Sequence, residues 1–156
     1  MSTYALWQRL ADKPLGRRLF SVGMCLRVPY FATVLPTVVE LRPGHCAVRA
    51  PKWWAVHNHI GTFHAIAACN LAEAAMGMLA EATVPPTHRW LPKAMTVDYV
   101  AKATTSLHAT ADLPEIPTFG APMDLPVPVT VRDRAGKPVV TGVITIRVSP
   151  KPAATG

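Results

Sequence analysis

The sequence predicts an α+β fold in which one antiparallel sheet wraps a single long helix. Three observations carry this. The stretch from His57 to Thr83, HNHIGTFHAIAACNLAEAAMGMLAEAT, becomes an alanine-rich helix that is apolar on nearly every side, so it must be covered all round. About 20 helical residues would reach ~30 Å, the width of a small domain. From Thr37 the pattern before the helix reads as a strand hairpin, and everything after the helix reads as strands, which places helices on one face of an antiparallel sheet.

In chain order, residues 3–12 are predicted as a first helix. Ser2 or Thr3 serves as N-cap, and Tyr4, Leu6, Trp7 and Leu10 form an apolar stripe. Pro14 and Gly16 stop it, and a second short helix is expected from about Leu15 to Cys25. The apolar stretch 19–36 is interrupted by Arg27, Pro29 and Pro36, so it is expected to pack on the domain or line a groove rather than span a bilayer. VVELRPGHCAVRA is a hairpin turning at Pro43-Gly44. The central helix follows a loop with Trp53 and Trp54 and ends near Thr83, because Pro85-Pro86 cannot continue it. Strands are predicted at 89–103, 105–112, Val127–Arg132 and Val139–Val148, the last two a hairpin about Arg134 to Lys137. The five prolines of 113–128 predict an irregular connection or a sheet edge. The expected organisation is an N-terminal helical segment over 1–36, the main domain over 37–150 and a flexible tail over 151–156.

Composition narrows the function. Half of the 156 residues are hydrophobic and 16% are charged, which excludes intrinsic disorder. The net charge of +7 is spread along the chain with no basic run longer than Arg17-Arg18, so nucleic-acid binding is not expected, while anionic ligands suit the surface. Three cysteines without CxxC spacing argue against a disulfide framework or zinc knuckle and fit a reducing cytosol. No secretory signal is evident, and a cytoplasmic protein is expected. The central run could by length be a membrane span, but Asn70 and Glu73 within it argue for a soluble core helix.

The helix start carries the sharpest pattern. Asn58, Gly61, His64 and Leu71-Ala72-Glu73 in NHIGTFHAIAACNLAE resemble the N-x-x-G-x-x-H-G-G-x(4)-L-A-D/E signature of hotdog-fold acyl-CoA thioesterases, closest to the phenylacetate-pathway and 4-hydroxybenzoyl-CoA types. The resemblance covers roughly residues 37–150. It implies a dimeric hotdog fold, with pairing of dimers into tetramers left open, and a thioesterase acting on acyl-CoA or acyl-carrier substrates, with coenzyme A entering only as part of the substrate. It also implies roles for a catalytic set of Asn58, His64, Ala65 and Glu73. Asn58 would orient or polarise the thioester; His64, read from its position before the helix, would orient the loop or helix start. The Ala65 amide would supply the oxyanion hole, and Glu73 would be nucleophile or general base. The chemistry agrees: helix N-terminal amides are free donors toward a developing oxyanion, and a carboxylate can attack the carbonyl or activate water.

Helix arithmetic adds a constraint. Ala65 and Glu73 are eight residues apart, ~12 Å along one helix axis, so one carbonyl carbon cannot sit within reach of both. The site then requires Glu73 from a second chain. Two departures stand out: the usual Gly-Gly is Ala65-Ile66, and no convincing hydroxyl follows Glu73 to position water, Thr87 being the best candidate. These favour the alternative of a non-catalytic acyl-CoA-binding or regulatory hotdog protein. His57, His59 and His64 lack metal-site spacing, and no metal is expected. Cys69 reads as core filler, and Asn70 as a bond across a dimer interface or to backbone. Phe31, Trp53 and Trp54 are candidate acyl-pocket walls. Lys93, Lys102, Arg147 and Lys151 are candidate contacts for coenzyme A phosphates.

Overall fold

The computed structural model describes residues 1–152; the last four positions of the expected tail lie outside the described residues. Its elements are α1 (Thr3–Leu10), α2 (Gly16–Arg27), a 3-10 segment (Pro29–Val34), β1 (Thr37–Arg42), β2 (His45–Ala50), a 3-10 turn (Trp54–Val56), α3 (Ala65–Thr83), β3 (His88–Tyr99), β4 (Leu107–Asp112), β5 (Met123–Arg132) and β6 (Pro138–Pro150). The strands form one antiparallel sheet in the order β1-β2-β4-β5-β6-β3.

Strand alternation decides what faces α3. Leu125, Val127, Val129 and Val131 of β5 are buried, and so are Leu107, Ala109 and Ala111 of β4 and Cys46, Val48 and Ala50 of β2. They meet Leu71, Ala72, Ala75, Met76 and Leu79 of α3 in one core. Alanine on the helix lets the sheet curl closely around it. The helix is long and apolar enough to cross a membrane, but 67% of its apolar window is buried inside the fold.

The N-terminal helices close the other side. Trp7 of α1 and Phe20 of α2 meet edge to face, 5.1 Å between ring centroids, and both belong to the same core. At Gly16 a Cβ would stand 1.7 Å from the Leu10 carbonyl oxygen, so only glycine lets α2 start this close beneath α1. Ser21 then fastens α2 to the sheet: its hydroxyl donates to the Arg17 carbonyl at 2.7 Å and accepts from the Val38 amide at 2.9 Å. That amide lies beside the register shift between Val38 and Glu40.

Two expectations need correction. β3 ends at Tyr99, and its alternation is only partly turned into the core: Trp90 and Val97 pack against it, while Leu91 is 65% and Tyr99 55% exposed, because β3 is an edge strand. The irregular connection is shorter than the prolines suggested, since β5 begins at Met123 and contains Pro126 and Pro128. β5 pairs with β6 along its whole length but with β4 only from Val129 to Arg132, so both prolines lie where one edge of the strand is open. A residue without an amide hydrogen is tolerated there.

Candidate active site

The loop entering α3 is built around Asn58. Its side-chain oxygen accepts from the amides of Ile60 (3.1 Å) and Thr62 (3.0 Å), and its Nδ2 donates to Thr62 Oγ1 at 2.7 Å. Its backbone amide donates to the Thr62 carbonyl, and its carbonyl accepts from Gly61. Gly61 sits at φ +75°, a conformation that side chains with a Cβ rarely adopt. The Asn-x-x-Gly spacing is therefore first a loop-closing device. One Nδ2 hydrogen of Asn58 remains outside this network.

His64 ends the loop as the N-cap of α3. Its amide donates to the Val56 carbonyl at 2.7 Å, and its Nδ1 accepts from the Ile66 amide at 3.1 Å. An accepting Nδ1 leaves the ring proton of the neutral imidazole on Nε2. Ala68 N takes the His64 carbonyl, so the capped end uses the amides of Ile66 and Ala68, while that of Ala65 has no acceptor among the described residues. A free amide at the first helical position is a ready donor to an oxyanion.

Glu73 faces a different space. It is half-buried and lines a cavity of about 350 Å³ between α3, β3 and the N-terminal helices, with Leu6, Phe20, Met24, Phe31 and Met76 among its walls. No ion pair engages its carboxylate among the described residues. Glu81, on the same wall, is occupied: Oε2 accepts from Thr3 Oγ1 at 2.7 Å and Oε1 from Trp90 Nε1 at 3.2 Å. Glu81 thus latches α1 and β3 onto α3 and holds the cavity's far end.

A family described as a domain of unknown function, DUF4442, matches residues 16–148, most of the chain. The chain belongs to the DUF4442 family. It is similar to a structural-genomics crystal structure at 41% identity, with a TM-score of 0.82 and coverage of 96% of this chain and 98% of that one. It is also similar to a protein of unknown function from Pseudomonas aeruginosa described as a probable thioesterase (19% identity, TM-score 0.75, covering 81% and 91%). A thioesterase family protein from Silicibacter pomeroyi is similar as well (18% identity, TM-score 0.72, covering 84% and 96%). No curated protein matches. The hotdog fold implied by the helix motif is the fold of this DUF4442 chain: a six-stranded antiparallel sheet around α3.

In the DUF4442 chain His64 and Ala65 stand at the start of α3, Asn58 closes the loop that leads into it, and Glu73 stands apart in its own cavity. Of the expected acyl-pocket walls, Phe31 lines that cavity, but Trp53 and Trp54 do not; they stack edge to face at 5.5 Å, with Trp54 79% exposed. Asn70 bonds within its own chain, its Nδ2 donating to Thr33 Oγ1 at 3.0 Å and to the Tyr30 carbonyl at 3.3 Å. Thr87 lies outside the cavity, bonded to His88 at 2.9 Å. Lys93 and Arg147 are paired with Asp124. Sequence reasoning missed the Glu81 latch. The only signal for it was a second acidic residue eight positions beyond Glu73 on an otherwise apolar helix, with Trp90 nine further on.

Proposed function

We propose that this protein hydrolyses acyl thioesters, carried on coenzyme A or an acyl carrier, at sites built by two chains. The observation that carries the reading is Glu73: a half-buried carboxylate in the wall of an apolar cavity, on the helix whose first amide is free, with no ion-pair partner for the one or acceptor for the other among the described residues. In the proposed reaction Glu73 takes a proton from water and the hydroxide attacks the thioester carbonyl carbon. The Ala65 amide of the other chain donates to the resulting oxyanion, and the remaining Nδ2 hydrogen of Asn58 orients the thioester. The C–S bond then breaks, and the proton held by Glu73 passes to the departing thiolate. Direct attack by the carboxylate, with an anhydride later hydrolysed, uses the same groups.

Two chains are needed because eight helical residues separate Ala65 from Glu73 by ~12 Å. β3 supports such pairing. It is an edge of the sheet, twelve residues long, with Leu91, Met95 and Tyr99 each more than a third exposed. A long apolar edge strand is a template for another strand, and two copies related by a two-fold axis satisfy each other. The thioesterase structures it is similar to add the fold context.

Acyl-thioester binding without turnover is the second reading. It is favoured by the engagement of Asn58 within its own loop and by the exposed Ile66 side chain where the signature has glycine. Thiol release from a panel of acyl-CoAs, wild type against Glu73→Gln, tests both. Release that falls at least ~100-fold in the variant supports hydrolysis, on the scale of a lost catalytic proton acceptor. Binding of acyl-CoA with no release by wild type selects the second reading.

A further inference from the structure

The sheet face turned away from α3 carries a basin of about 520 Å³, where β2 runs into Pro51 and β5 into the Asp133–Lys137 turn. Arg49, Arg132 and Arg134 line it together with His108. Arg49, His108 and Arg132 are direct cross-strand neighbours on β2, β4 and β5, on the opposite parity from the buried Val48, Ala109 and Val131. A cleft lined by one sign of charge concentrates counter-ions, so three arginines around one basin favour an anion there. Among the described residues none of the three arginines forms an ion pair. The basin's one carboxylate, Asp133, accepts from the amides of Ala135 and Lys137 in its own turn. Arg132 Nη1 donates only to Thr110 Oγ1, at 3.3 Å.

A second observation points the same way. His108 Nε2 is buried with no hydrogen-bond partner among the described residues. Buried polar nitrogens are nearly always satisfied, and this one lies on the strand between those of Arg49 and Arg132. Burial and the neighbouring Arg49 push the His108 pKa below the ordinary histidine value. Glu40 opposes this, and Arg132 and His45 add to it. The Ser106 hydroxyl, which accepts from the Lys52 amide at 3.1 Å, keeps its own proton for a ligand at the rim.

We propose that this basin binds a phosphate group, as a phosphomonoester or a pyrophosphate. Guanidinium forks match phosphate oxygens in bidentate pairs, and three forks around one imidazole suit a tetrahedral dianion better than a single carboxylate. Two sources share this chemistry: a free phosphorylated metabolite, and the phosphate end of a coenzyme A carrier. The site stands independently of hydrolysis, since it is on the far side of the sheet from Glu73.

The test is calorimetric titration of the full chain with pyrophosphate. Wild type should bind with an affinity that falls as salt is raised, and Arg49→Gln/Arg132→Gln should weaken binding at least ~10-fold without lowering Tm, because the substitutions relieve repulsion. Arg132→Lys should restore binding in part. Glu73→Gln should bind as wild type does, so a failed thioesterase reading leaves this result readable. Coenzyme A that displaces pyrophosphate identifies the carrier as the source; coenzyme A that leaves pyrophosphate in place identifies a separate phosphorylated ligand. No pyrophosphate binding by wild type, or equal binding by the double variant, overturns the proposal.

Discussion

Glu73 and Glu81 share one wall of the same cavity, yet only Glu81 is held. Its two oxygens receive Thr3 Oγ1 and Trp90 Nε1, whereas Glu73 has no ion-pair partner among the described residues. Two carboxylates eight residues apart on α3 thus do different work. One latches α1 and β3 onto α3, and the other carries no ion pair among the described residues.

Stability should separate them. Glu81→Ala removes two hydrogen bonds to a charged, partly buried acceptor, at about 1–3 kcal/mol, and should lower Tm by several degrees. Glu73→Gln should leave Tm within about 1 °C while thiol release is lost, since no native ion pair is broken. Thermal melts of both variants check this; a large Tm loss in Glu73→Gln would give Glu73 a structural role.

Ala65→Pro tests the oxyanion donor without disturbing the helix. Position 65 is the first helical residue, where proline is well tolerated, and His64 already has the extended backbone (φ −63°, ψ 136°) that a following proline requires. The substitution deletes one amide hydrogen. The turnover rate should fall about 10²–10³-fold with Tm unchanged or higher. Mixing this variant with Glu73→Gln should restore about a quarter of wild-type activity, because half the dimers are hybrids with one intact site of two. Demonstrated subunit exchange without recovery would contradict a site shared between chains.

The exposed face of β3 should hold the dimer. Met95→Glu places charge on the β3 edge at a position more than a third exposed, and should yield monomers in analytical ultracentrifugation together with loss of turnover. A dimer that persists would move the interface elsewhere.

Acyl length should respond to Gly23. A Cβ there meets nothing within 4 Å, and the residue lines the Glu73 cavity. Gly23→Leu should therefore fill acyl space. Turnover of long or aryl acyl groups should drop relative to short ones by about 10-fold or more, on the scale of 1–3 kcal/mol per methylene in an apolar pocket. An unchanged chain-length profile would remove this cavity from substrate binding.

His108 should make stability fall in mild acid. Its folded pKa is lowered from 6.5, first by burial and then by Arg49, so as pH falls the unfolded chain takes the proton before the folded one. The neutral ring's contribution is complete above about pH 6.5 and is lost progressively below it. The Tm difference between pH 7.5 and 5.5 should shrink in His108→Gln. Bound pyrophosphate should raise the His108 titration midpoint seen by NMR; a midpoint unmoved by saturating ligand would place the anion elsewhere.

Local chemistry made much of this chain legible in advance. The β1–β2 hairpin about Pro43-Gly44, the end of α3 before Pro85 and the long apolar helix all follow from turn residues, proline and periodicity. The Asn58–Glu73 motif pointed to the hotdog fold that the sheet order displays. Other features required the tertiary structure, because they depend on residues far apart in sequence. Pro126 and Pro128 fit β5 only because β4 stops pairing at Val129. Thr3 reaches Glu81 across 78 positions, and Arg49, His108 and Arg132 become neighbours through strand register alone. Propensity and pattern act along the chain; cavities, latches and charge clusters arise from which strands and helices fold onto one another.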